Sequence, residues 1–145
     1  CKSAEKWKDW PAEKWNELAE ILLLMGYNIV EIGLEAVIDS SYNKFYDLSY
    51  LTDIQEIARI IHDANCFIGI DSAFAHIANC FHVHGIIIMG RYKNFSRPMP
   101  YTGYYAKNNN ATIIYAEEAA KAVKVDTVLS AFNDFLLKYQ NKFIN

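Results

Sequence analysis

Apolar residues recur at helical spacing in four stretches of the chain, and short continuous apolar runs separate them. Trp15, Leu18, Ala19 and Leu22 form a stripe after Pro11, a residue suited to the first helical position, and Gly26 ends that helix. Tyr27 to Ile32 reads as a strand with Gly33 as its turn. From Ala36 to Tyr50 the chain is polar and irregular, with a short strand at Lys44 to Leu48. Thr52-Asp53-Ile54-Gln55 reads as a capping box for a second helix buried through Ile54, Ile57, Ala58 and Ile61. Cys66 to Ile70 is a buried strand, and Asp71-Ser72 caps a third helix with Phe74, Ile77, Ala78 and Phe81 on its core face.

Gly85 then introduces Ile86 to Met89, a fully apolar run suited to a central parallel strand. Residues 91–110 are polar and Tyr-rich, a loop of about twenty residues, and loops longer than ~15 residues are usually functional or disordered. Thr112 to Tyr115 is a last strand. A final helix over 126–143, capped by Asp126-Thr127, carries Leu129, Phe132, Leu136, Tyr139 and Phe143 on one face. Helices alternating with buried strands predict an α/β fold: a Rossmann-like parallel sheet with helices on both faces, whose ligands gather at the carboxyl ends of the strands.

Composition narrows the function. With 145 residues and 52% hydrophobic content, the chain suffices for one folded domain over 1–145. A net charge of −3 and the lack of a basic run argue against nucleic acid as a partner. Cys1, Cys66 and Cys80 show no framework spacing, so reduced thiols in a cytoplasmic protein are expected. No apolar run reaches the ~18 residues of a spanning helix. A Rossmann-like half opens with a strand, yet only Cys1 to Ala4 precede the first helix signals, which points to a fragment of a longer protein.

Candidate chemistry centres on Asp71 and Ser72. A helix opening at the carboxyl end of a buried strand, with small residues Ala73 and Ala75 in its first turn, offers free amides and a positive dipole end to a phosphate. An ordinary N-cap pair is the plainer explanation of the same two residues. Glu35, in the loop after the first strand, falls on the same ligand side. His76, Cys80, His82 and His84 suggest a zinc site, but their spacing fits no usual structural zinc pattern, so no metal is expected. Hydrolase elbows, Walker loops and dinucleotide fingerprints are missing.

Asp71-Ser72-Ala73-Phe74-Ala75-His76-Ile77-Ala78 resembles the Asp-Ser-Gly-x-x-His-x-Ala motif of glycosyltransferase family 9, the heptosyltransferase-like enzymes of bacterial surface polysaccharides. Lys8-Asp9-Trp10-Pro11, with Trp15 and Leu18 beyond it, is similar to that family's Lys-x-Trp-Pro helix opening. The resemblance covers about residues 2–115 and implies the donor-binding half of a two-domain (GT-B) enzyme. Asp71, Ser72, Ala73 and His76 would then surround the diphosphate of the substrate, a nucleotide-diphosphate sugar with an ADP-linked one among the candidates, and Lys8 would lie beside its phosphates. Glu35 would reach the ribose, Thr52 would lie near the base, and Arg91 would be available to an anionic donor or acceptor.

The family has glycine where Ala73 stands, and a methyl group there narrows the approach of phosphate to backbone. By the same resemblance, transfer is inverting and metal-independent, no cofactor is used, and the catalytic base and acceptor site belong to an N-terminal domain outside this chain. The full protein would work in the cytoplasm, or on the inner face of the cytoplasmic membrane, in bacterial surface polysaccharide or lipopolysaccharide synthesis. The alternative is a nucleotide-binding or protein-interaction module with the same fold and no transferase activity.

Overall fold

In the computed structural model, residues 8–39, 41–50, 53–90, 101–107 and 110–142 are described, with side chains through Tyr139. Among the described residues, four helices, α1 (Ala12–Leu24), α2 (Ile54–Asp63), α3 (Ala73–Cys80) and α4 (Val125–Lys142), are interspersed with five short strands. The strands are β1 (Ile29–Glu31), β2 (Phe45–Asp47), β3 (Cys66–Ile70), β4 (His84–Met89) and β5 (Ala111–Tyr115). Every pairing is parallel. The hydrogen bonds divide the strands into a pair, β1–β2, and a triplet in the order β3–β4–β5.

Strand β4 is buried along its whole length because its side chains alternate between two apolar layers. Ile86 and Ile88 pack with Trp15, Leu18, Leu22, Val128 and Phe132, from α1 and α4. Ile87 and Met89 pack with Ile57, Ile61, Ala75 and Ala78, from α2 and α3. The expected α/β arrangement with helices on both faces is therefore present. Each buried isoleucine of β4 contributes ~1.5–3 kcal/mol over its exposed state.

Helix α1 follows the predicted stripe, and Trp15, Leu18, Ala19 and Leu22 are all buried. Gly26 ends it with φ of +95°, a left-handed conformation that glycine adopts without a Cβ penalty. The first strand is shorter than the periodicity suggests, since only residues 29–31 pair with β2.

Three helix details differ from expectation. The capping box of α2 is shifted by one residue: Asp53 accepts from the amides of Gln55 and Glu56, and Glu56 returns to the Asp53 amide. Ile54 consequently falls outside the core and is largely exposed. On α3 the buried residues are Ala75 and Ala78, whereas Phe81 is the C-cap and is exposed. A helix of eight residues is too short to carry a stripe from Phe74 to Phe81, and its close seat against the sheet needs small side chains. Helix α4 starts at Val125, so Asp126 lies within its first turn instead of capping it. Its buried face is Val128, Ala131, Phe132 and Phe135; Leu129 and Leu136 pack at the margin and Tyr139 is exposed.

Candidate functional site

The carboxyl end of β3 delivers Asp71 and Ser72 to the first turn of α3. Lys8, from the segment ahead of α1, places its Nζ 3.7 Å from Asp71 Oδ2, so two of the sequence candidates meet here although they are distant in the chain. Both side chains are partly exposed, at 20% and 28%, which leaves the pair open to an incoming anion.

The packing of Trp10 brings Lys8 into place. Its ring is 2% exposed, and its indole N–H donates to the carbonyl of Val123 at 2.9 Å. Lys14 adds bonds of 2.7 Å to the carbonyls of Lys121 and Val123. The start of α1 is thereby tied to the turn before α4, and Lys8 is held over the end of β3.

The other Asp71 oxygen is engaged by a residue of the Tyr-rich segment after β4. Tyr101 donates from its hydroxyl to Asp71 Oδ1 at 2.6 Å. Residues 101–107 are not structureless, because Gly103–Ala106 forms a 3-10 turn and Tyr101 and Tyr105 are buried. Burial, followed by the Asp71 bond, pushes the Tyr101 phenol well above its usual range and keeps it a neutral donor. Tyr115, at the end of β5, is also raised, first by burial and then by the charge of Asp71, so a second strand end lies near the same carboxylate. The Tyr-x-x-Tyr-Tyr spacing after Pro100 was the only available signal for Tyr101, and spacing alone assigns it no partner.

Ser72 is the N-cap residue of α3, yet its side chain makes no capping bond. Its Oγ is buried and has no hydrogen-bond partner among the described residues. A buried hydroxyl without a partner costs ~1–3 kcal/mol unless something satisfies it, and here it lies at a helix end that favours anions. Ala73 is exposed on the first turn, and His76 is exposed one turn on, with its ring 5.1 Å from that of Tyr101.

Of the remaining candidates, one lies in the loop after β1 and the others lie outside the described residues. Glu35 is exposed in the loop after β1. The buried carboxylate of that region is Glu31, whose two oxygens accept from the amides of Val37 and Ile38 at 2.7 and 3.1 Å. Thr52 and Arg91 lie outside the described residues, as does most of the 91–110 loop.

The His/Cys residues weighed for zinc point different ways. His82 stacks on Tyr104, whereas His84, which opens β4 instead of lying in the turn, stacks on Phe135 of α4. Among the described residues no three His, Cys, Asp or Glu side chains gather as a metal site. Burial pushes the Cys66 thiol up to about 12, while Cys80 is exposed.

Known proteins share this fold. A glycosyl transferase family 9 protein from Veillonella parvula DSM 2008 has a similar fold, with a TM-score of 0.78 at 18% identity over 94% of this chain. The E. coli ADP-heptose lps heptosyltransferase II is similar over 92%, with a TM-score of 0.72 and 19% identity. E. coli heptosyltransferase WaaC, solved with ADP, gives a TM-score of 0.69 at 15% identity over 92%. The chain spans 44%, 43% and 42% of those three structures. No curated protein matches it in sequence. The sequence profile described as "Glycosyltransferase family 9 (heptosyltransferase)" matches residues 1–131, most of the chain, and the chain therefore belongs to glycosyltransferase family 9.

Proposed function

We propose that this chain is the donor-binding half of a GT-B glycosyltransferase and takes up a nucleotide-diphosphate sugar at the carboxyl end of β3. The observation that carries the reading is the meeting of Lys8 and Asp71 beside the first turn of α3, where the buried Ser72 Oγ has no partner among the described residues. In this reading the Ser72 hydroxyl and the amides opening α3 take phosphate oxygens, and Asp71 accepts from hydroxyls of the sugar. Lys8 shifts from Asp71 toward the diphosphate and opposes the charge that develops as the bond from sugar to phosphate breaks. His76 borders the same opening, exposed beside Tyr101.

Two of the similar structures are described with ADP or ADP-heptose, which supports an ADP-linked sugar as the first donor to test. The donor domain would occupy residues 1–145, with transfer inverting, metal-independent and completed by a catalytic base from an N-terminal domain. The whole protein would serve lipopolysaccharide synthesis in the cytoplasm or at the inner membrane face. Among the described residues no helix is long and apolar enough to cross a membrane. A half-cleft loses the positioning that makes a bimolecular displacement fast, so this chain alone would bind donor without turnover.

The test is calorimetric titration of the chain with ADP, UDP, GDP and CDP and with their sugar conjugates. One diphosphate should bind; Ser72→Ala should weaken it, and Asp71→Ala should weaken its sugar conjugate, each by about tenfold or more, roughly one hydrogen bond to a charged group. Binding unchanged by both substitutions would remove the site. Ala73 favours one second reading, a module that keeps the fold and binds nucleotide poorly; Ala73→Gly would then restore affinity.

A further inference from the structure

On that donor-site reading, we infer that Tyr101 is a positioning residue: its hydroxyl fixes one oxygen of Asp71 so that the other stays aimed at Lys8 and the ligand. The geometry divides the carboxylate between two partners, with Tyr101 on Oδ1 at 2.6 Å and Lys8 near Oδ2 at 3.7 Å. The first distance is that of a short bond between a hydroxyl and an ionised carboxylate; the second is a looser ion pair. A ligand that draws Lys8 away therefore leaves Asp71 still anchored.

The anchor is itself well held. Tyr101 is 8% exposed and packs edge-on against Tyr105 at 5.5 Å. The following residues are fastened to α3 through Asn79, which donates to the Thr102 carbonyl at 2.8 Å and accepts from the Tyr105 amide at 2.9 Å. Helix α3 thus carries the candidate phosphate-binding turn at one end and, near the other, the side chain that holds the Tyr101 segment. A carboxylate free to rotate would spend part of its time with neither oxygen presented to the ligand, and a fixed one avoids that loss.

The experiment combines Tyr101→Phe, Asp71→Asn, the double variant and a control, Tyr105→Phe. The control removes a hydroxyl from the same segment that has no partner among the described residues. Donor affinity is measured calorimetrically with the sugar conjugate of whichever nucleoside diphosphate the wild-type chain binds, and folding is followed by urea melts. Tyr101→Phe should weaken binding about tenfold, the size of one charged hydrogen bond. Tyr105→Phe should leave binding unchanged, and Tyr101→Phe should add nothing in the Asp71→Asn background. In the proton spectrum of the wild type, a far-downfield hydroxyl resonance should vanish in both single variants at Tyr101 and Asp71.

Equal affinity for wild type and Tyr101→Phe, or full additivity in the double variant, overturns the positioning role while leaving the donor site standing. A wild-type chain that binds none of the diphosphates removes the donor site and the role together.

Discussion

The ring of Tyr105 lies directly against the backbone of Gly85. A Cβ built on Gly85 would come within 2.9 Å of the ring's Cε2, and closer still to Cζ and the hydroxyl oxygen. Tyr105 is buried and held by its own amide on Asn79, so the ring has little room to retreat. Gly85→Ala should therefore destabilise the fold by ~1–3 kcal/mol, as overpacking a close-packed site does. An unchanged urea midpoint would contradict this contact.

Asn79 joins the Tyr101–Ala106 segment to α3 through both of its side-chain groups. Asn79→Ala leaves the Thr102 carbonyl and the Tyr105 amide to find other partners, at a cost of ~1–3 kcal/mol. Hydrogen exchange should rise locally at Tyr104 to Ala106 before global unfolding. Uniform acceleration across the sheet would mean that the segment opens only with the whole domain.

Glu31 takes the place of a helix in the connection between β1 and β2. Parallel strands usually need a crossover of a dozen or more residues, commonly helical, and among the described residues between these two no helix forms. The buried carboxylate instead collects the amides of Val37 and Ile38. Glu31→Ala should cost ~2–4 kcal/mol, since two charge-assisted bonds are lost from a buried position. Glu31→Gln should cost less, because one amide can still be satisfied. Thermal melts of the two variants give the comparison.

Alkaline pH should weaken the fold. Burial raises the Cys66 thiol from an ordinary 9.0 to about 12, and Tyr101 and Tyr105 lie above their ordinary 10.0, mainly through burial. For a group raised in the folded state, the unfolded chain releases its proton first. The contribution is therefore whole below about pH 9 and is lost as pH climbs toward 12. Urea midpoints should fall between pH 9 and 11, and Cys66→Ala should flatten the first part of that fall. With an alkylating reagent at neutral pH, exposed Cys80 should label faster than half-buried Cys66, whose thiol stays protonated.

Much of the fold was legible because apolar period and punctuation agree. The stripe of α1 and its Gly26 stop, the apolar runs of β3 and β4, and the parallel α/β arrangement all follow from local pattern. Where length or neighbours decide, the pattern misleads. Phe81 matches a seven-residue stripe on paper, but α3 ends before it. On α4, Leu129 and Val128 are equally apolar, and only the position of the sheet selects Val128. At the site, Asp71 and Ser72 were readable because a strand meeting a helix start is a local event. Tyr101 and Glu31 were not, since a tyrosine beyond a long loop and a glutamate inside a strand reveal nothing until tertiary contacts supply partners.

The tie between Trp10 and Val123 spans 113 positions. Lys8 sits just ahead of Trp10, so the ion pair with Asp71 depends on a contact between nearly opposite ends of the chain. Such closure is slow, because loop entropy must be met before the contact rewards it. During synthesis the strands around Asp71 can emerge and pair first, but Lys8 cannot be locked over them until Val123 has left the ribosome. A nascent chain stalled before that residue would hold both charges of the ion pair but not the contact that fixes Lys8 over Asp71.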